Sequence, residues 1–118
     1  HMFALTESLN YYLCPRYVNM CSGINALSVI VRNDLKRNPV SGEVFLFVNK
    51  SRTIIKLLHW EKGGFVLYQK RLEEGTFEIP CFDPGSGRYQ MRWESFFLMM
   101  EGVSLKSARF RKRFKGPV

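Results

Sequence analysis

Aspartate and histidine are scarce in this chain. Asp34 and Asp83 are the only aspartates in 118 residues, and there are two histidines. His1 ahead of Met2 reads as a cloning remnant, which leaves His59 as the one native histidine. A two-metal nuclease or transposase centre needs three or more converging carboxylates to hold its ions and activate water. Asp34 falls on a helical stretch beside Lys36 and Arg37, and Asp83 sits in a Pro-Gly loop where Asp is a common turn former. Both read as structural, and a single native histidine argues against histidine-based metal sites.

Cysteine is also sparse. Cys14, Cys21 and Cys81 form no C-x-x-C pair, and an odd number does not complete a disulfide framework. A reducing, cytoplasmic setting is expected. No cysteine has a spacing that selects His59 as its base, and His59 stands in an apolar run next to Trp60, so nucleophilic catalysis has no visible constellation. Gly63 and Gly64 lack the following Lys-Ser/Thr of a phosphate loop and read as a hairpin turn. Long apolar runs are missing too. Nothing approaches the 18 or so residues a membrane span requires, and no basic segment followed by an apolar one opens the chain. No enzyme activity, cofactor, metal, membrane or small-molecule ligand is expected.

What the chain has is hydrophobic content and positive charge. The apolar share is 46%, above the range of disordered chains, and the length suits one domain with one substantial core. The formal charge is +8. Its distribution matters more than its total, because residues 2–105 hold 12 basic and 10 acidic side chains. The rest of the excess comes from Lys106, Arg109, Arg111, Lys112, Arg113 and Lys115, with no acid among them. The expected organisation is a nearly neutral domain over residues 2–105 followed by a basic tail over residues 106–118.

Periodicity gives the outline of the domain. From Ser22 to Arg37, Ile24, Leu27, Ile30, Val31 and Leu35 recur at helical spacing, with Asn25, Ser28, Arg32 and Lys36 opposite. Ser22 is placed to cap this helix and Pro39 to stop it. Val44 to Val48 is a short apolar run of the kind buried on both faces of a sheet. Thr53 to Trp60 and Phe65 to Lys70 follow at hairpin spacing, and Thr76 to Ile79 is a fourth strand candidate ending at Pro80. Trp93, Phe96, Phe97 and Met100 then restore the helical period, with Gly102 at the C-terminal cap position. The predicted fold is α+β: an antiparallel meander of about four strands packed against an N-terminal and a C-terminal helix.

Two basic groups are candidates for binding nucleic acid. Six cations over ten residues of the tail, with Phe110 and Phe114 interleaved, could neutralise phosphates and stack on bases without reading sequence. Within the domain, alternation puts Lys56 and Trp60 on one face of a strand, and the next strand ends in Lys70 and Arg71. If Gly63 and Gly64 are the central turn residues, Lys56 faces Arg71, a like-charge pair that an anion would bridge. If Lys62 and Gly63 are central, Lys56 faces Gln69. Lys70 and Arg71 also have Glu73, Glu74 and Glu78 within reach as simple ion-pair partners.

Taken together, Ser41-Gly42, Phe45, Phe47, Lys56, Trp60, the Gly64 turn, Lys70-Arg71-Leu72-Glu73, Gly75-x-Phe77 and Pro80 resemble a known family. It is the accessory protein TnpB, the product of the second open reading frame of bacterial insertion sequences of the family numbered sixty-six. The preceding helix and Glu101-Gly102-Val103 fit as well, so the resemblance covers residues 10–105. Where such proteins usually carry Asp-Met-Arg-Lys-Gly, this chain has Asn19-Met20-Cys21-Ser22-Gly23. The resemblance implies a transposition accessory factor acting beside a separate, larger transposase; with the basic tail, the expected partners are DNA, that transposase or both, and the alternative is a module that binds the transposase without touching DNA. It does not extend to the RNA-guided nuclease that shares the name.

Overall fold

The computed structural model describes residues 5–80 and 89–102. The elements run in the order β1 (Tyr11–Leu13), α1 (Ile24–Asn33), β2 (Val44–Val48), β3 (Ile54–Glu61), β4 (Gly64–Arg71), β5 (Gln90–Met91) and α2 (Trp93–Met100). The five strands form one sheet in the order β4-β3-β2-β1-β5. The α+β class and both helices are as expected from the periodicity.

The β2-β3-β4 meander is antiparallel throughout. Two tight turns set its register. In the first, the Asn49 side chain replaces a turn of backbone: its Oδ1 accepts from the Thr53 and Ile54 amides at 2.9 and 3.0 Å. In the second, Lys62 and Gly63 have φ of +50° and +82°, the paired positive values of a type I′ turn, whose twist matches that of the strands it joins. With Lys62 and Gly63 at the turn, Lys56 pairs with Gln69 and Arg71 pairs with Ile54. The register that would have opposed Lys56 to Arg71 is not adopted.

The sheet departs from a four-stranded meander at two places. Thr76 to Ile79 is not a strand. Gly75 at φ +75° bends the chain, and among the described residues the segment's main-chain contact with the sheet is the bond from the Phe77 amide to the Arg52 carbonyl at 2.7 Å, while the Phe77 ring is buried. The sheet is instead completed by β1, which lies parallel to β2 and antiparallel to β5. Main-chain bonds from the Cys14 amide to Leu46 and from the Val18 amide to Val48 carry the β1–β2 contact past the end of the strand.

The sheet separates two cores because strand side chains alternate. Phe45 and Phe47 of β2 face α1 and join Tyr12, Leu27, Val31, Leu35 and Leu58. Val44, Leu46 and Val48 face the other way and join Tyr11, Ile55, Leu57, Phe77, Phe96 and Met99 of the α2 side. β2 is buried along its whole length, the both-faces burial that its unbroken apolar run implied. A fully buried aliphatic or aromatic side chain contributes about 1.5–3 kcal/mol, so both layers draw heavily on this strand.

α1 is shorter than its sequence pattern suggests, whereas α2 spans the residues its period marks. Gly23, not Ser22, is the N-cap of α1, and no side chain caps it. At the other end Lys36 enters the left-handed region at φ +56° and the Arg37 amide bonds back to the Val31 carbonyl at 3.2 Å, which ends the helix before Pro39. In α2, Gly102 at φ +77° donates to the Met99 carbonyl, the capping role expected of it.

Candidate nucleic-acid interface

Six of the nine expected contact residues, Lys106, Arg109, Arg111, Lys112, Arg113 and Lys115, lie outside the described residues, as do Asp83 and Cys81. The other three fall at separate places with separate partners. Lys56 is 8% exposed and projects toward α1. Its Nζ donates to the Met20 carbonyl at 2.7 Å and the Ser22 carbonyl at 2.9 Å, immediately before the helix starts. Lys70 is on the opposite face of the sheet, where its Nζ donates to the Met100 carbonyl at 2.5 Å. That carbonyl closes α2, so the ammonium meets the negative end of the helix dipole. Arg71 is exposed at the end of β4 and pairs with Glu73 at 3.1 Å.

Lys56 and Lys70 therefore each bind one helix terminus to the sheet. Lys56 also bears on the departure at Asn19–Gly23. Its acceptors are main-chain carbonyls, so this contact is indifferent to which side chains stand at positions 19–23.

The remaining described cations divide into paired and unpaired. Arg16 pairs with Asp34 at the C-terminal cap of α1, and Arg92 pairs with Glu94 at 3.4 Å. Arg37 holds Glu43 in a two-point contact at 2.9 and 2.7 Å and lies 4.2 Å above the Tyr12 ring. Burial pushes the Glu43 carboxyl up, but hydrogen bonds from Arg37, Ser41 and Tyr12 and the Arg37 charge outweigh it and hold it below the ordinary range. Arg32, Lys36, Lys50, Arg52 and Lys62 form no ion pair among the described residues.

Arg32 belongs to a continuous outer stripe on α1. The exposed positions of that helix are Asn25, Ala26, Val29, Arg32 and Asn33, and the helix holds no acidic residue at all. The outer face of α2 is different, with Glu94, Phe97 and Glu101 exposed on one side. In the sequence both stripes look like ordinary solvated helix faces. The signal that separates them is the sign of their charge, which is visible only once the buried face of each helix is fixed.

Metal-ligating and nucleophilic side chains are dispersed among the described residues. No group of three His, Cys, Asp or Glu side chains could hold a metal there. Cys14 is buried, and burial pushes its thiol up, away from the reactive thiolate. His59 is buried on β3 with Nε2 3.4 Å from Glu61 and Nδ1 3.4 Å from the Glu43 carbonyl. No described helix is long and apolar enough to cross a membrane.

Comparison with known proteins gives this fold its context. An uncharacterized protein, y4jC, from Sinorhizobium fredii (strain NBRC 101917 / NGR234) is 28% identical over 116 residues, spanning 98% of this chain and 97% of its own. A second from the same organism, the uncharacterized protein y4hO, is 28% identical over 80 residues, 68% of this chain and 70% of its own. No solved structure matches. The profile of the family described as "IS66 Orf2 like protein" matches residues 9–110, from just before β1 to beyond α2. With nearly the whole chain so covered, the protein belongs to the IS66 Orf2-like, or TnpB, family of insertion-sequence accessory proteins.

Proposed function

We propose that this protein is a non-catalytic accessory factor for transposition of an insertion sequence, contacting DNA and the element's separate transposase. The observation that carries the reading is the family match over residues 9–110, since a transposition-associated role attaches to that family. Two features of the chain support it. The sequence concentrates six cations after residue 105 without an acid, and burial pushes the Cys14 thiol up, away from the nucleophilic thiolate. A polycationic segment binds duplex DNA mainly by releasing counterions, which makes affinity steeply dependent on salt and nearly independent of sequence.

Removing residues 106–118 and titrating a duplex through a salt series tests the DNA part. Six phosphate contacts correspond to a slope of about −5 in log affinity against log salt. The truncated protein is expected to lose most of that slope. An unchanged slope would show that the tail is not the contact.

A protein-only reading, in which the domain binds the transposase without touching DNA, is separated by nuclease treatment. A direct complex of the two proteins survives nuclease during co-purification, and one bridged by DNA does not. Full co-purification after nuclease, together with no affinity of the intact protein for any duplex, would replace the proposal with this alternative.

A further inference from the structure

We infer that the outer stripe of α1 is a major-groove reading surface, a site for specific duplex DNA distinct from the basic tail. The inference rests on the proposed contact with DNA and adds where sequence would be read.

Three observations carry it. First, the stripe is free of carboxylates. Asn25, Ala26, Val29, Arg32 and Asn33 are all exposed, α1 contains no Asp or Glu, and Arg32 forms no ion pair among the described residues. A purely solubilising helix face carries charges of both signs, whereas a surface that meets polyanionic DNA must avoid negative ones. Second, the residue types match the edges of base pairs. An arginine fork fits the O6 and N7 acceptors of guanine, an asparagine amide fits the N6 and N7 of adenine, and small apolar groups fit the thymine methyl. Val29, at 53% exposure, and Ala26 supply apolar contacts between the polar ones. Third, the helix is well presented. Leu27 and Val31 anchor its inner face to Phe45 and Phe47 of the sheet, and Lys56 fixes the chain just before its first turn. Ten residues rise about 15 Å, and the major groove, about 12 Å wide, admits an α-helix.

The surroundings of the helix agree. Asp34 caps the C-terminus with its carboxylate neutralised by Arg16, and Lys36 and Arg37 follow it, where the phosphates at the wall of the groove would pass. Arg37 is committed to Glu43, while Lys36 forms no ion pair among the described residues. An anionic lipid surface is the other polyanion that a cationic helix could meet. That mode needs a broad apolar face to insert, and the outward apolar groups here are Val29 and Ala26. The stripe suits a hydrated, polar groove better.

The test uses the full-length chain with a pool of 30-base-pair duplexes randomised at the centre, enriched by repeated capture at physiological salt. The wild-type protein is expected to enrich a short motif of three to five base pairs. Arg32→Ala and Arg32→Lys are both expected to lose the preference at one position of that motif. The loss in affinity for the enriched duplex is expected to be about 5- to 100-fold, the range of one two-point base contact. Arg32→Lys keeps the charge and loses the fork, so loss of preference in this variant separates reading from simple attraction. Arg32 is exposed, and circular dichroism of each variant confirms that the fold is kept.

The protein lacking residues 106–118 is expected to bind more weakly while enriching the same motif. Enrichment of an unchanged motif by both Arg32 variants would overturn the α1 assignment while leaving DNA contact standing. Failure to enrich any motif, with salt-dependent binding retained, would also overturn it and leave a sequence-blind contact. No duplex binding at all would remove the underlying DNA reading. Stronger competition by anionic phosphatidylglycerol vesicles than by random duplex would assign the stripe to lipid.

Discussion

The two sides of the sheet are built alike and finished differently. On each side one short helix packs its apolar face against alternate residues of β2, and on each side one lysine binds a helix terminus through main-chain carbonyls. The outward surfaces then diverge. α1 shows amides, small apolar groups and Arg32, while α2 shows Glu94, Phe97 and Glu101. Packing is therefore not where the two sides differ. The difference is the sign of the unpaired charge they present among the described residues: Arg32 on α1 and Glu101 on α2, since Glu94 is paired with Arg92.

Four measurements test that contrast. The largest effect is expected in the cores. Leu27→Ala under α1 is expected to cost about 2–5 kcal/mol and Phe96→Ala under α2 about 3–5 kcal/mol. Both should shift one shared urea transition, because β2 contributes to both layers. Two resolved transitions would show that the sides are separate units.

Next come the lysines. Lys56→Met leaves two part-buried carbonyl acceptors without their charged donor and is expected to cost about 1–3 kcal/mol. Lys70→Met, which frees one carbonyl at a helix end, is expected to cost about 1 kcal/mol. Neither substitution is expected to alter the salt slope of duplex binding. A slope shallower by about one unit would put that ammonium on a phosphate instead.

The third effect is on binding. Arg32→Glu is expected to weaken duplex affinity by about tenfold or more, and Glu94→Gln on the opposite side to change it by less than about twofold. Equal effects in an electrophoretic shift assay would erase the distinction between the two surfaces.

The smallest effect is on acid stability. Glu43 is held below its ordinary value of 4.5, so its folded form binds protons less readily than its unfolded form. The stabilisation is whole above that value and is lost as the pH falls below it, through the depressed folded value. Glu43→Gln is expected to flatten the pH dependence of the melting temperature in that acid window. The effect should stay within about 1 kcal/mol, because Arg37 is partly exposed. An unaltered acid limb of the melting profile would show that the Arg37 contact is not maintained in solution.

The sequence made much of this architecture legible, and its failures have physical reasons. α1, α2 and the meander show their periods because each has one buried and one exposed face, or a long buried run between two tight turns. β1 and β5 are three and two residues long, too short to complete a period, and their pairing joins segments far apart in the chain. The Thr76–Ile79 segment has strand-like residues but no ladder partner among the described residues, and it meets the core through the buried Phe77 ring and the partly buried Ile79. At the candidate site, alternation correctly puts Lys56 on a face with Trp60. Alternation does not report what covers that face, and the chain leading into α1 covers it. The α1 stripe was present as a list of polar residues, without the orientation that turns the list into a surface.

The position of β1 has a consequence for how the chain assembles. The meander closes through neighbouring segments, so its contacts need only short loops and can form early. β1 lies between β2 and β5, and its Tyr11–Met91 pairing spans almost the whole described chain. Closing so long a loop carries more chain entropy than closing a hairpin, and such distant contacts slow folding. On the ribosome, the strand made first must wait for the segment that holds its outer edge. Until Gln90 and Met91 have emerged, β1 can dock on β2 but presents its other edge to whatever else is near.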